Sequence, residues 1–216
     1  MIRRTAELRL TEDGTIRGKV QTEYLRQEAL SLRLQAMKQD EAARRKELEE
    51  SMKKSLMQGA SVNLTSVEGW ENSEEPLKAS FDVEIPNFAT RAGRRLLLPV
   101  GIFHSNQSNP FFPARRVHPI DFGYSQETHE EIKLELPAGM QIESLPGPRK
   151  ADQKAVYYEL STVKDGNSLR LSRTLRFSGY LFEVQQYPVL KAFYDRVLAG
   201  DSQQVTLISR AENVSH

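Results

Sequence analysis

The residues best placed to do chemistry are few. The histidines are His104, His118, His129 and His216, and an imidazole serves as a metal ligand or a general base. No two of them stand four apart, the spacing that puts a pair on one helix face for zinc. His129-Glu130-Glu131 begins like a zincin helix, but the second histidine is missing and the flanking residues alternate as a strand. No metal is therefore expected, and His118, between Val117 and Pro119, reads as a packed or hydrogen-bonded strand end. Gly123-Tyr124-Ser125 starts like a nucleophile elbow, yet Glu127 occupies the place of the second glycine that makes that turn possible. The twelve glycines are dispersed and fit neither a P-loop nor a dinucleotide fingerprint, so no nucleotide cofactor is expected. Glu127, Glu130 and Glu131 are neighbouring carboxylates that read as a solvated strand edge. Paired acids of glycosidases come from distant positions, so an acid-base hydrolase stays open as the least favoured reading, requiring two carboxylates about 5–10 Å apart in a cleft. The basic pairs Arg94-Arg95 and Arg115-Arg116, the second close to Phe111 and Phe112, could stack on sugars or bases, though ordinary surface charge and core aromatics describe them as well.

The absence of cysteine removes disulfides, thiolate metal sites and cysteine nucleophiles together. In 216 residues, 30 basic and 29 acidic side chains leave a formal charge of +1. That balance excludes a domain-wide nucleic-acid-binding charge. No apolar run approaches the roughly 18–20 residues of a membrane helix, and the opening MIRRTAELRL lacks the apolar core of a secretory signal.

The elements that must position these residues follow from periodicity. Ala6, Leu8 and Leu10 alternate up to an Asp13-Gly14 turn, and the alternation resumes from Thr15 to Leu25, which predicts a hairpin. From Gln27 to Gln58 the period becomes helical, with stripes at Leu30, Leu34, Met37 and at Leu48, Met52, Leu56. A break near Gln39-Asp40 is expected, with Asp40 capping a second helix and Gly59 ending it. Between the stripes, Glu41 and Arg45, Glu49 and Lys53, and Glu50 and Lys54 stand four apart, a pattern that reads as a solvated helix face. Strands are expected at 61–69, 77–85, 94–103, 130–136, 141–145, 155–163, 169–177 and 204–209, with Asp165-Gly166-Asn167 closing a hairpin. Val189, Leu190, Phe193, Tyr194 and Val197 mark a C-terminal helix. The fold class is α+β, mainly β: an antiparallel β-sandwich-like domain with a long helical insertion (about 27–58) and a short C-terminal helix (about 186–199). The whole of 1–216 is read as one domain, with subregions 1–106 and 107–216.

The segments RVHPIDFGY (116–124), EEIKLELPAG (130–139) and IESLP (142–146) resemble the C-terminal domain of bacterial transglutaminase-like proteins that carry an N-terminal domain of unknown function. The tail, with Glu183, Tyr187-Pro188 and Phe193-Tyr194, is similar to the last helix and strand of that family. The resemblance implies a periplasmic or extracellular protein and, as partner, a neighbouring transglutaminase-like domain whose catalytic cysteine works with histidine and aspartate. No catalytic residue carries over, because this chain has no cysteine.

The leading expectation is thus a non-catalytic accessory module, not an enzyme, without cofactor, nucleic acid or membrane span. The alternative is an independent carbohydrate- or peptide-binding module using Trp70, Phe111, Phe112 and Tyr124 as apolar platforms.

Overall fold

The computed structural model describes residues 1–104 and 107–209. The N-terminal hairpin forms from Ile2–Leu10 (β1) and Ile16–Tyr24 (β2), and alternation buries Ala6, Leu8 and Leu10 of the first arm on the same face as Ile16, Val20 and Tyr24 of the second. The polypeptide then runs through two helices, Gln27–Ala36 (α1) and Glu41–Ser55 (α2), and returns in a second hairpin, Ser61–Glu68 (β3) and Leu77–Ile85 (β4). Thr90–Ala92 (β5) and Arg95–Pro99 (β6) follow, then Ile120–Asp121 (β7), Gln126–Glu135 (β8), Met140–Ser144 (β9) and Arg149–Gln153 (β10). The Gly166-Asn167 turn joins Val156–Asp165 (β11) to Ser168–Phe177 (β12), and Leu181–Phe182 (β13) leads into Tyr187–Asp201 (α3) and Gln204–Ser209 (β14).

Eight strands order themselves as β10-β11-β12-β8-β1-β2-β4-β3, and four more as β5-β6-β14-β9, with β13 and β7 paired separately. The fold is mainly β and is not a closed barrel. Its large sheet departs from the antiparallel expectation at one ladder among the described strands: β1 runs parallel to β8, Ile2 opposite Thr128 through Arg9 opposite Glu135. A long crossover separates these two strands in sequence, which is what a parallel pair requires. The other large-sheet ladders are antiparallel. Strands from both sides of residue 107 share this sheet, β8 and β10 to β12 forming one half and β1 to β4 the other, and one hydrophobic cluster unites its inner face with the smaller sheet and α3. The boundary expected at residue 106 lies outside the described residues.

The helical insertion breaks where expected: the Asp40 carboxylate accepts from the Ala43 N–H, 2.8 Å away. The second helix ends earlier than expected, at Ser55, and Gly59 instead turns the chain into β3 with φ +90°. The two apolar stripes behave differently. Leu48, Met52 and Leu56 are buried, whereas Leu30, Leu34 and Met37 face outward and α1 docks through Ala29 and Ala36. The charge run is not simply a solvated face either. None of its three pairs four residues apart forms an ion pair among the described residues. Arg45 donates to the Leu64 carbonyl and Glu49 accepts from the Leu64 N–H at 2.8 Å, so that one helical turn of α2 satisfies the outer edge of β3. A bare edge strand is a template for unwanted pairing, and this clamp occupies it at the register shift between Leu64 and Ser66.

The two stripes therefore differ in mutational sensitivity. Met52→Ala is expected to cost about 2–5 kcal/mol in urea unfolding. Leu34→Ser should stay within about 0.5 kcal/mol. Glu49→Ala, which strands a strand-edge N–H, should cost about 1–3 kcal/mol.

Candidate functional site

Three strands of the large sheet carry a charge where the alternation calls for an apolar residue. Arg4 lies on the face of Ala6, Leu8 and Leu10; Glu130 on that of Ile132 and Leu134; Arg173 on that of Leu169 and Leu171. Register then aligns them in one row across the sheet, Arg4 opposite Glu130 and Glu130 opposite Arg173. Glu130 is 2% exposed and Arg173 3%. Isolated charges at that depth would be prohibitive, so each must be matched.

The matching groups come from the other layer. Val100 N–H bonds the Gln203 carbonyl and Gly101 N–H the Asp201 carbonyl, which ties the segment after β6 to the end of α3. This places His104 over Glu130, with Nε2 3.0 and 2.9 Å from the two carboxylate oxygens. Arg4 donates to Glu130 Oε1 at 2.8 Å and lies over the Phe103 ring. Arg173 makes a bidentate pair with Asp201, 2.8 Å on each arm, and reaches Glu130 at 3.9 Å. Tyr158 of β11 donates its hydroxyl to Asp201 at 2.9 Å. Asp201 is admitted because its neighbours are small: a Cβ on Gly200 would stand 2.3 Å from the Tyr158 hydroxyl oxygen, and one on Gly101 2.7 Å from the Asp201 carbonyl oxygen.

Two arginines and two carboxylates thus neutralise one another in a layer beneath the surface. Burial by itself pushes the Glu130 carboxyl up, but His104, Arg173 and Arg4 together hold it well below the usual carboxylate range. Burial pushes the Tyr158 phenol up, and the Asp201 charge beside it adds to the effect. Burial opposes the Arg173 charge, yet the hydrogen bonds to Asp201 and the Glu130 charge outweigh it and raise its pKa. His104 and Glu130 supply two members of a base-and-orienter arrangement. The third is missing: His104 Nδ1 is buried and has no hydrogen-bond partner among the described residues. Cavities among the described residues open elsewhere, one on the outer face of the sheet along Thr5, Gln21, Ser80 and Glu131 and another along Glu7, Arg9, Arg17 and Glu135.

The structure corrects the solvated edge expected for these three carboxylates: Glu131 and Glu127 are part-exposed, while Glu130 points into the core. A legible signal existed, since Glu130, Ile132 and Leu134 share one parity. Asp201 likewise follows Phe193 and Val197 at helical spacing. His118 is exposed, not packed as expected. His129 bonds Thr174 and Glu131 on the outer face. His216 lies outside the described residues. Among the described residues no group of three or more His, Asp and Glu is arranged to hold a metal ion.

The four aromatic residues expected as platforms do not come together. Phe111 is a core residue in edge contact with Phe122, Tyr187 and Tyr194. Trp70 is half-buried beneath Arg44. Tyr124 is half-buried, and burial and the neighbouring Glu28 carboxylate push its phenol up. Phe112 alone of the four is strongly exposed.

Ionised Glu130 stabilises the fold fully above the ordinary carboxylate value near 4.5, and that contribution disappears as pH falls through its lower native value. Glu130→Gln should cost about 3–5 kcal/mol at neutral pH, because it leaves two buried cations short of an anion. Its unfolding free energy should also fall less steeply than that of the parent below pH 4.5, a difference that urea titrations across pH 3–7 would reveal.

A family described as a domain of unknown function with a solved-structure structure, DUF3858, matches residues 94–207, just over half of the chain. The match contains His104, Glu130, Tyr158, Arg173 and Asp201 and leaves Arg4 to the N-terminal hairpin. Comparisons with curated proteins and with solved structures give no match. With its family segment completed by β1 to β5, α1 and α2, the chain belongs to the DUF3858 family.

Proposed function

We propose that the chain is a non-catalytic accessory and interaction module of a transglutaminase-like multidomain protein of the bacterial envelope. The observation that carries this reading is the condition of its ionisable core: His104, Glu130, Arg173 and Asp201 are buried and paired with one another, and line none of the three cavities along Thr5 and Ser80, along Arg9 and Glu135, and along Val156 and Leu190. Groups that must meet a substrate need access, and these are buried, with Arg173 paired to Asp201 at the end of α3.

The missing cysteine supports the same reading, since the nucleophile of the transglutaminase-like module would have to come from another domain. The 116–146 resemblance supplies that domain as partner, and the envelope location follows from it. An acid-base hydrolase gains nothing from the geometry. Glu130 and Asp201 share Arg173 as a partner but lie in the packed interior instead of a cleft. A platform for sugars or peptides loses Phe111 to the core.

The purified chain, supplied with a glutamine-containing peptide and a primary amine, or with an unstructured protein as peptidase substrate, should give no turnover above buffer. Turnover that co-purifies with the chain and is abolished by His104→Ala, in a variant whose circular dichroism shows it folded, would overturn the proposal.

A further inference from the structure

The loop of residues 107–119 is held firmly at its base and presents an unusual tip. Asn109 caps the Phe111 N–H at 2.8 Å and donates to Asp195 at 2.6 Å. The Tyr187 hydroxyl lies 2.9 and 2.7 Å from the Phe111 and Pro113 carbonyl oxygens, and Lys191 Nζ 3.0 Å from the first of them. Phe111 is locked among aromatic rings of α3 and β7's following turn. Yet Phe112 is 80% exposed and Val117 83%, with Arg115, Arg116 and His118 exposed between and beside them. No Asp or Glu occurs from 107 to 119. Neither arginine makes an ion pair among the described residues, and Arg116, though exposed, lies over the Tyr187 ring, 5.8 Å from its centroid.

We infer that this loop is a docking surface for an anionic lipid headgroup layer, with Phe112 and Val117 entering the acyl boundary and Arg115 and Arg116 meeting phosphates. Charge complementarity and shape favour this occupant over a protein. Two protruding apolar side chains fall far short of the roughly 800 Å² that each partner contributes to a stable protein interface. A bilayer asks for no matching surface, and an apolar insertion joined to a basic pair combines the two kinds of attraction, apolar burial and attraction to anionic headgroups, that hold a protein at a lipid surface. The anchored base means that no loop has to be ordered on contact. This inference is independent of the accessory role proposed above.

Co-sedimentation with vesicles tests it directly. The full chain should pellet with phosphatidylcholine vesicles containing 30% phosphatidylglycerol and stay in solution with phosphatidylcholine alone. Each of Arg115→Gln and Arg116→Gln should weaken partitioning about fivefold, and Phe112→Ser about tenfold. Added salt should diminish the arginine contribution. Both kinds of variant lie at exposed positions and should keep the parent melting curve. Absence of pelleting with the anionic vesicles, equal pelleting with both vesicle types, or partitioning unchanged in all three variants would overturn the inference.

Discussion

Glu130 is the constraint around which the rest of the fold is arranged. A carboxylate on the inner face of a central strand must be compensated, and its partners come from four places: Arg4 on β1, Arg173 on β12, His104 after β6, and, through Arg173, Asp201 at the end of α3. Each partner arrives only if its own element is in register. The parallel pairing of β1 with β8 sets Arg4 opposite Glu130, and a one-residue slip would turn Arg4 to solvent. Buried ion pairs of this kind are weak evidence for net stability, but a wrong arrangement leaves a bare charge inside the protein. Here the layer acts as a check on topology, joining the hairpin that precedes the family segment to the strands and helix within it.

Around that layer the fold relies on ordinary packing. Phe111 meets Phe122 and the α3 residue Tyr187 edge to face, Phe177 meets Phe193 of α3 in the same way, and a tilted contact between Phe122 and Phe177 joins the two groups. On the far side, α2 buries Leu48 and Met52 and closes the β3 edge through Arg45 and Glu49. The exposed face of the sheet is a lattice of compensating surface pairs such as Arg3 with Glu23, Arg9 with Glu135 and Arg17 with Glu84. Surface pairs contribute little each, so the layer beneath does more to distinguish one register from another.

Much of this was legible in the residues. Alternation located the hairpins at Asp13-Gly14 and Gly166-Asn167, the Asp40 cap divided the helical insertion, and 204–209 formed the last strand as read. Short strands such as β5, β7 and β13 carry too few residues for a period to emerge, and the parallel ladder depends on contacts between segments remote in sequence. The outward turn of Leu30, Leu34 and Met37 was hidden because spacing reports that a stripe exists, not which side of a helix the sheet will cover. The charge layer was missed for a different reason: Glu130 and Glu131 look alike in sequence, and only the parity of Ile132 and Leu134 separates the buried one from the solvated one. Conversely, Phe111 and Phe112 were grouped as one platform although consecutive side chains here face opposite ways.

The claim that a mutually dependent charge layer holds α3 to the sheet is tested most directly by a double-mutant cycle on Arg173 and Asp201, replaced by Met and Leu, with unfolding free energies from urea titration. Each single replacement should be strongly destabilising, by about 3–5 kcal/mol, because it strands the opposite charge. The double replacement should be far less damaging than the sum of the two, by 1 kcal/mol or more, as coupled neighbours behave. Strictly additive losses would contradict the account, for they would mean that the arginine and the aspartate hold the structure independently of one another.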